Sequence, residues 1–250
     1  MEGDRKVNAL DFVVHAMKQE GVEYLFGYPM HALIEAAAIG GIRPIIARTE
    51  KTLINMAEGY AMASDGARPA VVCVQGGPGI ENAFGGVAQA FADGTPMLVL
   101  PGGGDVRAHG LGGEYDPVPA FRHVTKWAAR VPSADRLPAM LRYALAQMRN
   151  GRPGPVLLEL PRDVMGMDIS SAPQHLPTAR VRSAGDPADI DTIARVILAA
   201  PRLVIHAGQG VLWSQASAAL VELAEILGAP VVTTLSGKGA FPEDHRLAAG

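Results

Sequence analysis

Cysteine is almost absent: the 250 residues hold one, Cys73. A single thiol closes no internal disulfide and builds no zinc site on its own, so a reducing, cytoplasmic setting is expected. No apolar stretch approaches the ~18–20 residues that cross a bilayer, so no membrane span is expected. The opening residues, Met1-Glu2-Gly3-Asp4-Arg5-Lys6, are charged and lack the apolar core of a secretory leader. A basic excess is missing too. Lys and Arg number 22 against 25 Asp and Glu, a net charge of −3. Without a basic surface, neither nucleic acid nor a membrane is expected as a partner.

Apolar residues make up 48% of the chain, enough for a packed core and too many for intrinsic disorder. At roughly 100–200 residues per domain, the length suits one large domain or two small ones. Glycine is concentrated between Gly76 and Gly113. Clustered glycine in a folded chain points to backbone that approaches a ligand.

The patterning alternates strand, tight turn and helix. Residues 8–20 read as a helix, with Asn8 as N-cap candidate, Leu10, Val13, Val14 and Met17 on one face, and Gly21 as the stop. A strand at 23–26, a helix at 30–39 and a strand at 43–47 follow. Thr49 then caps a helix from Glu50 to about residue 64. Ala70-Val71-Val72-Cys73-Val74 is an unbroken apolar run, the pattern of a strand buried on both faces. It feeds Gln75-Gly76-Gly77-Pro78-Gly79 and a helix at 80–92. Strands at 97–100, 126–131 and 155–160 and a helix at 133–150 complete the set.

The expected fold class is α/β, a doubly wound parallel sheet flanked by helices, with ligands at the carboxyl ends of the strands. This domain is expected over 1–165. Residues 166–188, punctuated by Pro173, Pro177 and Pro187, read as a linker. Residues 189–250 begin a second, incomplete α/β (Rossmann-like) domain with strands at 203–207 and 231–234 and a helix at 214–227. Two parallel strands make a poor core, so further chain or a partner is expected to cover this piece.

Three turns meet at the carboxyl ends of the first domain's strands: Gly27-Tyr28-Pro29-Met30-His31, Arg48-Thr49-Glu50 and Gln75-Gly76-Gly77-Pro78-Gly79. The glycines of the third let backbone amides approach a planar or anionic group beside a helix start. Glu50 is the leading chemical candidate, because burial would disfavour its charge while the helix start favours it. On spacing alone, the plainer role of complementing the helix dipole outweighs the chemical one. His31 is equally readable as an exposed helix-start histidine, Gln75 as a loop residue, and Cys73 as a core thiol. Gly208-Gln209-Gly210 lacks the third glycine of a dinucleotide fingerprint, which makes it a weak nucleotide signal.

Further motifs keep a common order: Met56-Ala57-Glu58-Gly59-Tyr60-Ala61, Gly77-Pro78-Gly79 with Asn82, Thr125-Lys126-Trp127, Gly151-Arg152-Pro153-Gly154-Pro155-Val156, Pro161-Arg162-Asp163-Val164 and Gly237-Lys238-Gly239-Ala240-Phe241-Pro242. Together with the turns above, they resemble the thiamine diphosphate enzymes of the acetolactate synthase, pyruvate oxidase and benzoylformate decarboxylase superfamily. The resemblance places the first domain as the pyrimidine-binding domain and the second as the start of the central domain.

In that family the glutamate matching Glu50 hydrogen-bonds the coenzyme's aminopyrimidine ring and promotes the tautomer that deprotonates the thiazolium carbon. The resemblance therefore implies a catalytic role for Glu50, and for His31, which falls where some decarboxylases keep a polar catalytic residue. It implies cofactor contacts from Glu50, Pro29, Gly77, Pro78, Gly79 and Asn82, and a substrate pocket with Tyr28, Gln75, Gly76 and Gly113. Gly112-Gly113 stand where acetolactate synthases carry Phe-Gln before Glu114, which opens the pocket to a larger or different acceptor. The implied reaction is carboligation or decarboxylation of a 2-oxo acid or aldehyde with thiamine diphosphate and Mg²⁺; some relatives also hold FAD in the central domain. The family's Gly-Asp-Gly and Asn-Asn diphosphate motifs do not occur in this sequence. Ligands for Mg²⁺ are therefore expected on further or partner chain, and a homodimer or tetramer is expected. The alternatives are a non-catalytic or split-enzyme subunit that keeps the fold for assembly and, more weakly, a nucleotide-binding protein.

Overall fold

The computed structural model describes residues 7–111, 113 and 115–250; the charged opening residues 1–6, Gly112 and Glu114 lie outside the described residues. The chain divides into two compact units, Met1–Val181 and Arg182–Gly250.

In the first unit the elements run α1 (Ala9–Gln19), β1 (Tyr24–Tyr28), α2 (His31–Ile39), β2 (Arg43–Ile46), α3 (Glu50–Met62), β3 (Ala70–Val74), α4 (Pro78–Ala92), β4 (Met97–Gly103), α5 (Pro117–Phe121), β5 (Trp127–Arg130), α6 (Leu137–Arg149), β6 (Pro155–Pro161) and α7 (Arg162–Met165). Both expected caps form. Asn8 Oδ1 accepts from the Asp11 amide at 2.8 Å, and Thr49 Oγ1 accepts from the Thr52 amide at 3.3 Å. Each satisfies one of the amides a helix start leaves unpaired.

The strands form one six-stranded sheet in the order β2-β1-β3-β4-β6-β5, and every pair is parallel. Successive side chains of a strand point to opposite faces. Val71, Cys73, Leu98, Leu100, Val156 and Leu158 therefore join a core with α1, α2 and α6. Val72, Val74, Met97, Val99 and Leu157 join a second core with α3, α4 and α5. A helical layer on each face is why β3 reads as an unbroken apolar run rather than an alternating one. The chain winds outward from the centre in both directions, from β1 to β2 through α2 on one face and from β3 to β4 through α4 on the other. The two windings separate between β1 and β3, so their following loops diverge there and leave a crevice.

Residues 166–181, the first part of the expected linker, run back over this unit. Ile169 is buried, and its amide bonds the Val7 carbonyl. The main anchor is Glu20, just after α1, whose carboxylate is buried. It accepts from His175 Nε2 at 2.8 Å, from the Thr178 amide at 2.8 Å and from Arg149. Proline content correctly argues against regular structure here. It says nothing about where the polar side chains go, and a buried acid requires partners.

In the second unit α8 (Pro187–Ala199), β7 (Ile205–Ala207), α9 (Gly210–Trp213), α10 (Ser217–Leu227) and β8 (Val231–Thr233) follow one another. The two strands pair in parallel, Ile205 opposite Val231, over a small core of Ala207, Leu220, Ala224, Val231 and Phe241. The helix expected at 214–227 begins instead at Ser217, because Gln215 takes φ of 54° and separates it from α9. No residue of α8 is buried, and Ile190, Ile193 and Val196 are exposed. No helix among the described residues is long and apolar enough to cross a membrane.

The Glu20 cluster yields a stability prediction. Burial would push this carboxyl up, but hydrogen bonds from His175 and Thr178 and the Arg149 charge hold it below the usual glutamate range. The unfolded chain thus takes up this proton more readily than the folded one. The stabilisation is present above pH ~4.3 and is lost as pH falls through the lower folded value. Glu20→Gln leaves the Arg149 guanidinium without its counter-charge and is expected to cost about 3–5 kcal/mol at pH 7. It should also flatten the fall in stability below pH ~4.3. Denaturant unfolding of both proteins at pH 7 and at stepped acid pH measures both effects.

Candidate active site

A cavity of about 390 Å³ opens at the carboxyl ends of the central strands. Pro29 and Met30 enter it after β1, Gln75, Gly76 and Gly77 after β3, and Gly102, Gly103 and Gly104 at the end of β4. Gly113 and Tyr115 come from the loop before α5, and Glu159, Arg162 and Met165 from β6 and α7. It takes in the loops after β1 and β3, between which the winding reverses, and extends over the ends of β4 and β6.

Two glycines set its floor by what they lack. A Cβ on Gly76 would lie 2.2 Å from the Gly102 carbonyl oxygen, so the β3 and β4 turns could not come together with any side chain there. A Cβ on Gly103 would lie 2.6 Å from Glu159 Oε1. Pro78 then opens α4, where the lost amide costs nothing because first-turn amides have no helical partner.

Glu50 is the first residue of α3 and is 8% exposed. Its Oε2 accepts from Asn82 Nδ2 of α4 at 2.5 Å. Its Oε1 takes no hydrogen bond from any described residue. A Cβ on Gly79 would stand 3.4 Å from Oε1, so glycine keeps that oxygen approachable. Helices α3 and α4 meet closely because Gly86 leaves room for Ile54: a Cβ there would fall 2.9 Å from the isoleucine. That contact holds Glu50 and Asn82 in register across the helix pair.

The expected site residues therefore divide. Pro29, Gln75, Gly76, Gly77 and Gly113 line the cavity. Glu50, Gly79 and Asn82 form a carboxylate nest beside it, and Gln75 joins the two, its Cβ 3.0 Å from the Gly79 Cβ position. Pro78 is exposed at the α4 start. Tyr28 packs against the α3–α4 core, and His31 is exposed at the start of α2; neither lines the cavity.

Sequence reasoning passed over Glu159. It is 2% exposed and held by Arg130, whose Nε donates to Oε2 at 2.7 Å and whose Nη2 donates to Oε1 at 3.0 Å. The signal was available: an acid inside Val156-Leu157-Leu158-Glu159-Leu160, a run otherwise wholly apolar. Among the described residues, no group of three or more His, Cys, Asp or Glu is placed to hold a metal ion.

Comparison with known proteins bears on this geometry. Residues 7–126 match the family model described as thiamine pyrophosphate enzyme, N-terminal TPP binding domain, and residues 190–250 match the thiamine pyrophosphate enzyme central domain. The chain is 37% identical over 250 residues to the probable acetolactate synthase large subunit of Methanocaldococcus jannaschii, covering 95% of this chain and 42% of that protein. It is 30% identical over 255 residues to the acetolactate synthase large subunit of Haemophilus influenzae (97% and 44%). It is 34% identical over 252 residues to the glyoxylate carboligase of Escherichia coli O157:H7 (98% and 42%). The chain thus spans about two-fifths of the length of these relatives.

The packing of the turns predicts opposite signs for two glycine substitutions. Gly76→Ala forces a methyl group into the Gly102 carbonyl and is expected to cost about 1–3 kcal/mol or more. Gly85→Ala, in α4 with open space around it, is expected to stabilise by about 0.5–1 kcal/mol by lowering the backbone entropy of the unfolded chain. Thermal unfolding of the two variants reads both signs.

Proposed function

The chain belongs to the thiamine pyrophosphate enzyme superfamily, and from that premise we propose that it serves a thiamine diphosphate- and Mg²⁺-dependent carboligase of the acetolactate synthase-like kind, acting on a 2-oxo acid. The observation that carries this reading is the half-satisfied carboxylate of Glu50. The residue is 8% exposed, and an oxygen that a mostly buried acid leaves without a protein donor is available to a ligand's donor. Here Asn82 occupies one oxygen and the other takes no bond from a described residue.

The residues present fit the aminopyrimidine end of the coenzyme. Glu50 Oε1 would exchange a proton with a ring nitrogen, Asn82 would keep Oε2 occupied so that exchange runs through Oε1, and Gly79 leaves the approach clear. Pro29, Gly77 and Pro78 would border the ring, next to the amides of the α4 start. When bound, thiamine diphosphate supplies the carbon nucleophile and electron sink for making and breaking carbon–carbon bonds. The adjoining cavity, with Gln75, Gly76 and Gly113 in its wall, would take the 2-oxo acid; Tyr28 and His31 would act only from outside this wall. Mg²⁺ and the diphosphate would be held by groups other than these residues. Assembly with a second subunit is supported by Met56 of α3 and Phe84 of α4, exposed at 41% and 37% on the helices that carry Glu50 and Asn82.

Glu50→Gln keeps the shape and the Asn82 contact region but removes the exchangeable proton. In the full-length protein, its circular dichroism and its affinity for thiamine diphosphate should stay close to the parent's. Turnover of 2-oxo acids should fall about 10²–10⁴-fold, the usual contribution of a positioned proton-transfer group. Steady-state assay with thiamine diphosphate and Mg²⁺ measures this, and undiminished turnover would remove Glu50 from the mechanism.

A further inference from the structure

The cavity wall formed by β6 has a polarity that the coenzyme chemistry does not require. Glu159 is the acid there, and Arg130 is its register partner on β5. The guanidinium grips both carboxylate oxygens, at 2.7 and 3.0 Å, in the planar two-pronged geometry that only arginine provides. Its remaining arm donates to His109 Nδ1. His109 Nε2 lies 4.0 Å from Asp116, which caps α5 by accepting from the Val118 amide at 3.0 Å. All three guanidinium nitrogens are thereby engaged. Glu159 already lies over β4 at Gly103, in space that a Cβ there would contest at 2.6 Å from its Oε1.

The orientation of the pair matters most. Glu159 lines the cavity and Arg130 does not, so the acid is the member of the pair that meets the cavity wall, its side chain 2% exposed and both its oxygens on the guanidinium. Burial pushes the Glu159 carboxyl above its usual range while Arg130 pulls it back. Among the described lining residues, the cation is Arg162, which is exposed and bonds Asp105 Oδ1 at 3.0 Å. The cavity thus has a guanidinium on its exposed side and a carboxylate, an acceptor of hydrogen bonds only, in its buried wall.

We infer that the Arg130–Glu159 pair sets the substrate class of this site, selecting acids whose far end is uncharged and donates a hydrogen bond, such as a hydroxyl, and rejecting those with a second carboxylate. The inference rests on the cavity being the substrate pocket proposed above. A second carboxylate pressed against Glu159 would meet a like charge that Arg130 offsets from the far side only. A hydroxyl would instead find an acceptor already oriented.

The test uses the full-length protein with thiamine diphosphate and Mg²⁺, titrated calorimetrically with pentanoate, 5-hydroxypentanoate and glutarate. These probes match in length and carry no 2-oxo group to react. The parent should bind glutarate at least about tenfold more weakly than 5-hydroxypentanoate. Glu159→Gln, which leaves the Arg130 charge unbalanced, should narrow or reverse that ratio by about tenfold. An Arg130→Met/Glu159→Leu double variant, which removes both charges and keeps the volume, guards against a Glu159→Gln protein that does not fold; it should abolish the preference for the hydroxyl. A ratio that stays constant across folded variants, or a parent that binds glutarate as well as 5-hydroxypentanoate, overturns the inference. Turnover of 5-hydroxy-2-oxopentanoate, read in parallel, tests the functional proposal separately. Ratios that move without turnover support the wall and sink the carboligase, and turnover with unmoved ratios does the reverse.

Discussion

A carboxylate can be kept dry at the start of a helix only if something donates to it. In this protein that donor is Asn82 of the neighbouring helix, and the Glu50–Asn82 contact is the point on which the site depends. It requires α3 and α4 to begin side by side. That in turn requires β2, β1 and β3 to be parallel neighbours and Gly86 to admit Ile54 between the helices. A shift of one turn in either helix, about 5.4 Å, would separate the two groups. The buried charge would then be without its donor, a costly state.

Four glutamates are buried among the described residues, and the way each is satisfied sorts their roles. Glu20 has His175, Thr178 and Arg149 around it and ties residues 166–181 to the first unit. Glu58 accepts from Gln89 Nε2 at 2.8 Å and bridges α3 and α4 from within; burial, with Asp93 nearby, raises its carboxyl above the usual range. Glu159 has both oxygens taken by one guanidinium and gives the cavity wall its sign. Glu50 alone keeps an oxygen unengaged by described residues. Completed networks rigidify, whereas an incomplete one in a cleft has something left to bind.

The cavity follows from the same architecture. A parallel sheet sends all its strand ends to one side, and the reversal of winding between β1 and β3 keeps their loops apart. Glycines at 76 and 103 then let the neighbouring backbones and the Glu159 carboxylate close in around the remaining space. The result is a pocket whose floor is set by the Gly76–Gly102 backbone contact and whose charged groups among the described residues are Glu159, held by Arg130, and Arg162.

Much of this was legible in the chain alone. The doubly wound α/β fold, the caps at Asn8 and Thr49, the buried β3 run and the Gln75–Gly79 turn all follow from local periodicity and from the conformations that glycine and proline permit, whereas spacing alone favoured a helix-dipole role for Glu50 and only the family resemblance raised it to a catalytic candidate. Such signals act between residues a few positions apart, and a sequence carries them directly. Only the tertiary structure decided which polar groups meet. Arg130 reaches Glu159 across 29 residues and His175 reaches Glu20 across 155. Tyr28 and His31 stand outside the cavity although they belong to the turn that borders it. Those outcomes depend on strand order and register, which the whole core selects by burying two apolar faces at once, and no short stretch of residues contains that information.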